Sequence, residues 1–349
     1  MMWKEVFKGD PSGVLVVAIG GGGDIVSAAV LASSLEREGI PTVIAALPWE
    51  RFVLDPEPGP VLLDTVTPAE RVTPHTLLAY PGCSFAHGGR VIPTQACRVG
   101  EVIQRPIYLL DLWGGEVAVR NGINEILELH DIDVVIGVDV GGDVLACGIE
   151  DTLWSPLADQ IGLSAIANSN AREALLAVHS LGADGELPME TMLARIAKTL
   201  KLGGYRWIRG LTAPDIELLK AITAKALTEA SRVSLEALKG VYADIVIRDG
   251  TRRVHVSPYS LATFILDARL LYKISPMARI VHGTTSIREA RIKLNQACVY
   301  TELDLEEDLK TYEGKGLTEA QMIEEARRNG REEIMKTCNP FILRECFNT

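Results

Sequence analysis

The chain has 349 residues, 46 of them acidic and 35 basic, for a formal net charge of −11. That balance argues against a nucleic-acid partner, which needs a basic face, and it admits a phosphorylated metabolite only where a cation supplies positive charge. No apolar stretch reaches the roughly 20 residues that span a bilayer. "MMWKEVFKGDPSG" lacks the apolar centre of a signal peptide, so a cytoplasmic protein with no membrane partner is expected.

The first apolar run, 14–19, is continuous rather than alternating, the pattern of a strand covered on both faces. Similar runs follow at 42–47, 107–110 and 134–138, with helical stretches between them, notably 25–38 and 121–130. This order predicts right-handed crossovers and a parallel sheet. Residues 55–104, rich in Pro, Gly and Thr, read as long loops with one small strand pair. From Ser155 the chain reads as helical, with Pro156 at a first helical position. Thr212 is the expected N-cap of a second helix, with Asp215 and Glu217 in its first turn. Residues 186–240 are therefore expected to form a helical insertion or subdomain. A hairpin over 244–256 turning at Asp249-Gly250, helices from Tyr259 and Ser286, a strand at 299–302 and a helical tail over 304–349 complete the chain. The expectation is a single α/β domain over 1–349: a Rossmann-like, three-layer parallel sheet carrying that insertion and tail.

Six cysteines, at 83, 97, 147, 298, 338 and 346, form no C-x-x-C pair, and no H-E-x-x-H occurs, so zinc has no support. Reduced thiols are expected, Cys338 and Cys346 being a pair that could meet near the C-terminus. "PGCSFAHGG" (81–89) brings Cys83, Ser84 and His87 together without a G-x-S-x-G elbow and reads as a loop.

In open parallel sheets, ligands bind beyond the carboxyl ends of the strands, where strand order reverses. All four expected strands end in acids: Asp24, Glu50 with Asp55, Asp111 with Glu116, and Asp139 with Asp143. Carboxylates converging in a cleft must be neutralised by protons, arginine or a cation. Their oxygens suit Mg²⁺ or Mn²⁺, which can in turn hold a phosphate or polarise water. Asp24, Glu50, Asp111, Asp139 and Asp143 are thus candidate metal ligands, with Asp139 and Asp143 also the candidate catalytic pair. Gly21, Gly22, Gly23 and Arg51 are candidate substrate or phosphate contacts. The bland alternative is that each acid caps the next helix or pairs with Arg51, Arg105 or Arg120.

The nucleotide motifs fail at the glycine run "GGGGD" (20–24). Counting G-x-G-x-x-G from Gly20 or Gly21 reaches Ile25 or Val26, and no lysine stands where a P-loop needs one. A nucleotide or NAD(P) held without metal, with Glu50 on a ribose, is the alternative cofactor reading. A non-catalytic metabolite-binding or structural subunit is a further one.

The stretches "GGGGDIVSA", "WERFVLDPEPGP", "DVGGDVLA", "SPLAD" and "VYTELDLE" span most of the chain and together resemble the archaeal and bacterial family labelled domain of unknown function 1152. The resemblance implies a Rossmann-like α/β fold and brings no activity with it. "GGGGDIVSAAVLASSL" is also similar to the acidic glycine turn of D-glutamate cyclases and manganese-dependent phosphatases, where that turn belongs to a carboxylate metal site. That group's fuller motif is absent here. "GVDVGGD" resembles the D-x-G-G phosphate turn of sugar kinases and actin-like proteins, although there it opens a hairpin and here it closes a strand. The expected function is a divalent-metal-dependent hydrolase or transferase of phosphatase type. Its expected ligand is a small phosphorylated or polyhydroxylated metabolite bound in an acidic cleft, and a homo-oligomer is compatible with this.

Overall fold

The computed structural model describes residues 3–346. Its strands are β1 (Val14–Ala18), β2 (Thr42–Ala46), β3 (Val66–Thr73), β4 (Thr76–His87), β5 (Arg90–Ile92), β6 (Ile107–Leu110), β7 (Val134–Val140), β8 (Glu173–His179), β9 (Tyr205–Gly210), β10 (Ala243–Ile247), β11 (Arg252–Val256) and β12 (Ala262–Asp267). Its helices are α1 (Asp24–Glu36), α2 (Arg51–Leu54), α3 (Gln95–Ile103), α4 (Gly115–Leu129), α5 (Pro156–Ala167), α6 (Met189–Lys201), α7 (Ala213–Thr223), α8 (Val233–Leu238), α9 (Ala268–Ile274), α10 (Pro276–Val281), α11 (Ile287–Gln296), α12 (Glu302–Lys310) and α13 (Glu319–Met335).

The main sheet runs β3-β4-β6-β2-β1-β7-β8-β12-β9, with β5 beside β4. Its middle, β6-β2-β1-β7-β8, is parallel throughout, and antiparallel strands close both sides. Central strands shielded on both faces have no reason to alternate polar and apolar residues, and β1 is buried at every position. Alternate residues of β1 feed two different cores. Leu15, Val17 and Ile19 pack with α4 and α5 side chains such as Ile123 and Ile161. Val14, Val16 and Ala18 pack with Val26 and Val30 of α1. Each fully buried aliphatic side chain contributes about 1.5–3 kcal/mol of transfer free energy, so a register slip in this strand exchanges both cores at once. The architecture is mixed α/β with helices on both sheet faces, consistent with a Rossmann-like three-layer fold.

Chain order leaves β1 for β2 on one side, and after β6 it returns to lay β7 on the other. The topological reversal therefore lies between the carboxyl ends of β1 and β7.

Several expectations are corrected. Beyond Ser155 the chain is not only helical. "EALLAVH" forms β8, a short continuous apolar run of the kind that periodicity cannot separate from a buried helix. The helix expected from Tyr259 is a 3-10 turn at Pro258–Leu261 followed by β12. The 186–240 segment is not wholly helical: β9 joins the sheet edge beside β12, and α7 packs against α1. Residues 55–104 are not mainly loop: they hold the long β3-β4 hairpin and α3, whose N-cap Thr94 accepts Cys97 N–H through its hydroxyl. The strand expected at 299–302 is replaced by a capping box, Thr301 with Asp304, that starts α12. The 244–256 hairpin forms as β10 and β11.

The described cysteines are oxidised, against the expectation of reduced thiols. Cys83 pairs with Cys97 and Cys298 with Cys338, Cys147 is also disulfide-bonded, and no described cysteine is free. Cys338 thus does not wait for Cys346, whose side chain lies outside the described residues. The fold, not chain spacing, brings β4 to α3 and the end of α11 to the end of α13. Among the described residues, no helix is long and apolar enough to cross a membrane.

Candidate functional site

The glycine run after β1 needs its four glycines for two different reasons. Gly21 and Gly22 adopt left-handed backbone, φ +76° and +55°, which side chains rarely tolerate. Gly20 and Gly23 are close approaches: a Cβ at Gly20 would lie 2.5 Å from Asp24 Oδ2 and 2.7 Å from Asp159 Oδ1, and one at Gly23 would lie 2.2 Å from Thr228 Oγ1. Asp24 does not cap α1, whose N-cap is Gly23 without a side-chain bond. Its carboxylate turns back instead, accepting Gly20 N–H at 2.7 Å and Val140 N–H at 3.1 Å. It thereby clamps the end of β1 to the end of β7.

Asp139 lies within β7, and Asp143 follows it across two left-handed glycines, Gly141 and Gly142. Asp159 comes from the first turn of α5. One oxygen from each of Asp24, Asp139 and Asp159 lies within 4.8 Å of the others, and all three residues are buried. Asp139 Oδ2 and Asp159 Oδ1 are buried without a hydrogen-bond partner. Burial pushes the Asp24 carboxyl up to about 7. Burial first, and then neighbouring carboxylates, pushes Asp139, Asp143 and Asp159 well above the usual carboxylate range. Ser155 Oγ donates to Asp143 Oδ2 at 3.2 Å.

Asp24, Asp143, Ser155 and Asp159 line a cleft of about 710 Å³, measured out to its open mouth, with Asp139 buried behind them. Its other wall is basic. Arg51, itself left-handed at φ 61°, donates to Gly20 O at 2.7 Å, meets Glu302 at 3.0 Å and stacks over Trp49. Arg248, left-handed at φ 52°, is held down at about 10 by burial. Arg252 meets Glu186 at 2.7 Å and lies over the Trp154 ring.

Of the residues singled out from sequence, Asp24, Asp139, Asp143, Gly21, Gly22, Gly23 and Arg51 are gathered here. Glu50 and Asp111 are not. Glu50 is buried facing a neighbouring groove, where its Oε1 accepts Gln95 N–H at 2.9 Å and burial raises it to about 7. Asp111 ends β6, two strands from β1, and accepts Gly114 N–H at 3.3 Å in a turn of its own. The segment expected as a loop around Cys83, Ser84 and His87 is the end of β4; Asp55 pairs with His87 and Cys83 is oxidised, so it holds no free nucleophilic thiol.

Sequence reasoning missed Asp159, Asp184, Glu186, Arg248, Arg252, Glu302 and Glu306. Asp184 had a signal: it follows β8, and the same rule that marked Asp139 applies once that strand is recognised. Glu186 is a strut, accepting from Trp154 N–H, Ser155 N–H and Arg252. Burial acts to raise its carboxyl, but Arg252 and these bonds hold it below its ordinary value. Glu302 reaches over from α12 and accepts Leu157 and Ala158 N–H at 2.9 and 3.0 Å, capping α5 from outside. Glu306 accepts Trp49 Nε1 and Gly59 N–H, fixing the wall behind Arg51.

No curated protein and no solved structure matches the chain. A family model described as a protein of unknown function (DUF1152) matches residues 15–310, a span that includes every cleft residue named above. The chain belongs to that family.

Proposed function

We propose that the protein is a divalent-cation-dependent enzyme that hydrolyses or transfers the phosphoryl group of a small phosphorylated metabolite. One observation carries the reading: three buried aspartates at the sheet's reversal point present oxygens within 4.8 Å of one another, two of the three residues having an unpartnered oxygen. Ionised carboxylates at that spacing repel by about 3.5 kcal/mol per pair at an effective dielectric near 20. A hard divalent cation removes the repulsion and takes up the free lone pairs. Asp24, Asp139 and Asp159 are the residues that would hold it, and it would supply charge neutralisation for a bound phosphoryl group.

The rest follows from the chain's own groups. The left-handed glycine loop directs backbone toward the ligand at the start of α1, where helix amides receive anions. Arg51, Arg248 and Arg252 lie opposite and orient phosphate oxygens. Asp143, whose proton affinity is raised by burial and like charges, takes a proton from an attacking water. The water oxygen bonds to phosphorus, the ester P–O bond breaks, and the proton passes to the leaving oxygen. Transfer differs only in that a hydroxyl of a second metabolite replaces the water. A dinucleotide bound without a cation fits less well, because its pyrophosphate would face the aspartates uncompensated.

The test is isothermal titration of Mn²⁺ and Mg²⁺ into chelator-stripped protein, beside release of inorganic phosphate from a panel of phosphorylated sugars and nucleotides. Cation binding that weakens at least tenfold in Asp159→Asn, together with cation-dependent phosphate release, supports the reading. Failure of either cation to bind, with no release from any panel member, overturns it.

A further inference from the structure

With all five of their carboxyls ionised, the charges at the two turns do not balance with a single divalent ion. Arg51 is taken by Glu302, Arg252 by Glu186, and Arg248 lies beside Glu229. Five aspartates gathered there, Asp24, Asp139, Asp143, Asp159 and Asp184, have no ion pair among the described residues. One divalent cation leaves three of their formal charges uncompensated, and a second leaves one.

Asp184 supplies an observation independent of the trio. It stands on the loop after β8, which is zipped to the β7 turn by Gly141 N–H to His179 O at 3.0 Å and Gly182 N–H to Gly141 O at 2.6 Å. Gly141, at φ +116°, lets the Asp184 carboxylate press against the backbone between Asp139 and Asp143, since a Cβ there would lie 2.1 Å from Asp184 Oδ2. Asp184 Oδ1 accepts Glu186 N–H at 2.9 Å, which fixes the carboxylate's orientation. Its Oδ2 is buried with no partner, in a residue only 6% exposed that lines the cleft. Asp139 is likewise buried, and its Oδ2 has no hydrogen-bond partner. Each of these two carboxylates has one buried oxygen without a hydrogen-bond partner, and the Asp184 charge is near enough to act on the Asp139 carboxyl.

The geometry points to a second divalent cation seated between Asp184 and Asp139, the latter bridging it to the ion of the Asp24–Asp139–Asp159 trio. The inference rests on reading that trio as a cation site, and it narrows the reaction. Paired divalent ions about 3.5–4 Å apart clamp the attacking and departing oxygens of an in-line displacement at phosphorus. The substrate class is therefore a phosphate ester, with Asp143 taking the water proton as before.

The experiment is Mn²⁺ stoichiometry on the full chain, by titration and by metal analysis after desalting, with electron paramagnetic resonance of the loaded protein. Wild type is expected to hold two Mn²⁺ per chain with an exchange-coupled spectrum. Asp184→Asn, whose amide oxygen still accepts from Glu186 N–H, is expected to hold one Mn²⁺ and to show the isolated six-line signal. One ion in wild type overturns the second site and leaves the trio standing. Two ions in both proteins overturn the assignment to Asp184. No ion in wild type removes the trio reading as well. The spectrum of wild type reports pairing even where the variant folds poorly.

Discussion

Asp159→Asn is the cleanest single perturbation of the cleft, because its carboxylate makes no described hydrogen bond, whereas Asp24 ties two strands together. Without metal, raising the pH favours ionisation of the trio, against the burial that favours its protons. Each ionised pair within 4.8 Å costs about 3.5 kcal/mol at an effective dielectric near 20. Asp159 has two such neighbours, so the amide relieves up to about 7 kcal/mol, and about half of that where one neighbour keeps its proton. The variant should therefore melt several degrees above wild type when both are chelated, using the usual scaling of roughly 2 °C per kcal/mol in larger domains. With Mn²⁺ at about 100 times its Kd, wild type gains ~2.7 kcal/mol and the variant gains little, so the order of melting temperatures narrows or inverts. Differential scanning calorimetry in chelator and in Mn²⁺ reads both arms. A chelated variant no more stable than chelated wild type would refute the charge-repulsion argument. An undiminished Mn²⁺ response would refute the assignment of Asp159 as a ligand.

His179 is buried between Thr263 Oγ1 and Ser234 Oγ, and burial, then Arg209, lowers it to about 4. Since the unfolded chain binds that proton below about 6.5 and the folded one only near 4, stability is lost as pH falls through this window, by about 3 kcal/mol in all. Urea midpoints of wild type and His179→Gln should diverge at neutral pH and converge near pH 4, and parallel curves would exclude the mechanism. Gly20→Ala places a Cβ 2.5 Å from Asp24 Oδ2 without backbone strain, so Mn²⁺ affinity by titration should fall at least tenfold in a protein that still folds. Affinity within twofold of wild type would mean that Asp24 and Asp159 do not act together. Cys298→Ser opens a cross-link of sequence separation 40, and the chain-entropy relation gives a loss of about 4 kcal/mol. Thermal melts that are equal with and without reductant would contradict it.

The central sheet was legible because its first four parallel strands are continuous apolar runs, each followed by an acid. Asp24, Asp139 and Asp143 followed from one rule about strand ends. β8 escaped because "EALLAVH" is a short continuous apolar run that periodicity does not separate from a buried helix segment, and Asp184 was lost with it. Glu50 and Asp111 obey the same local rule as Asp24, but only the pairing order decides which strand ends face the reversal point, and pairing order is not written in local pattern. Asp159 looks like an ordinary first-turn acid favoured by the helix dipole. Glu302 ended an expected strand and Glu306 lay in the expected helical tail, and local pattern shows for neither what it packs against.

Glu302 caps the amino end of α5 from a helix that begins about 135 residues downstream of that helix's end. The cleft consequently draws on the chain from Gly20 to Glu306. During synthesis, the glycine loop and both aspartate turns leave the ribosome long before the residue that fixes α5 and Arg51. Until then Asp159 has no settled position, and the nascent chain exposes an acidic patch in place of a formed cleft. A specific ligand can be captured only after nearly the whole polypeptide is made, which separates the timing of folding of the sheet from the timing of loading of the site.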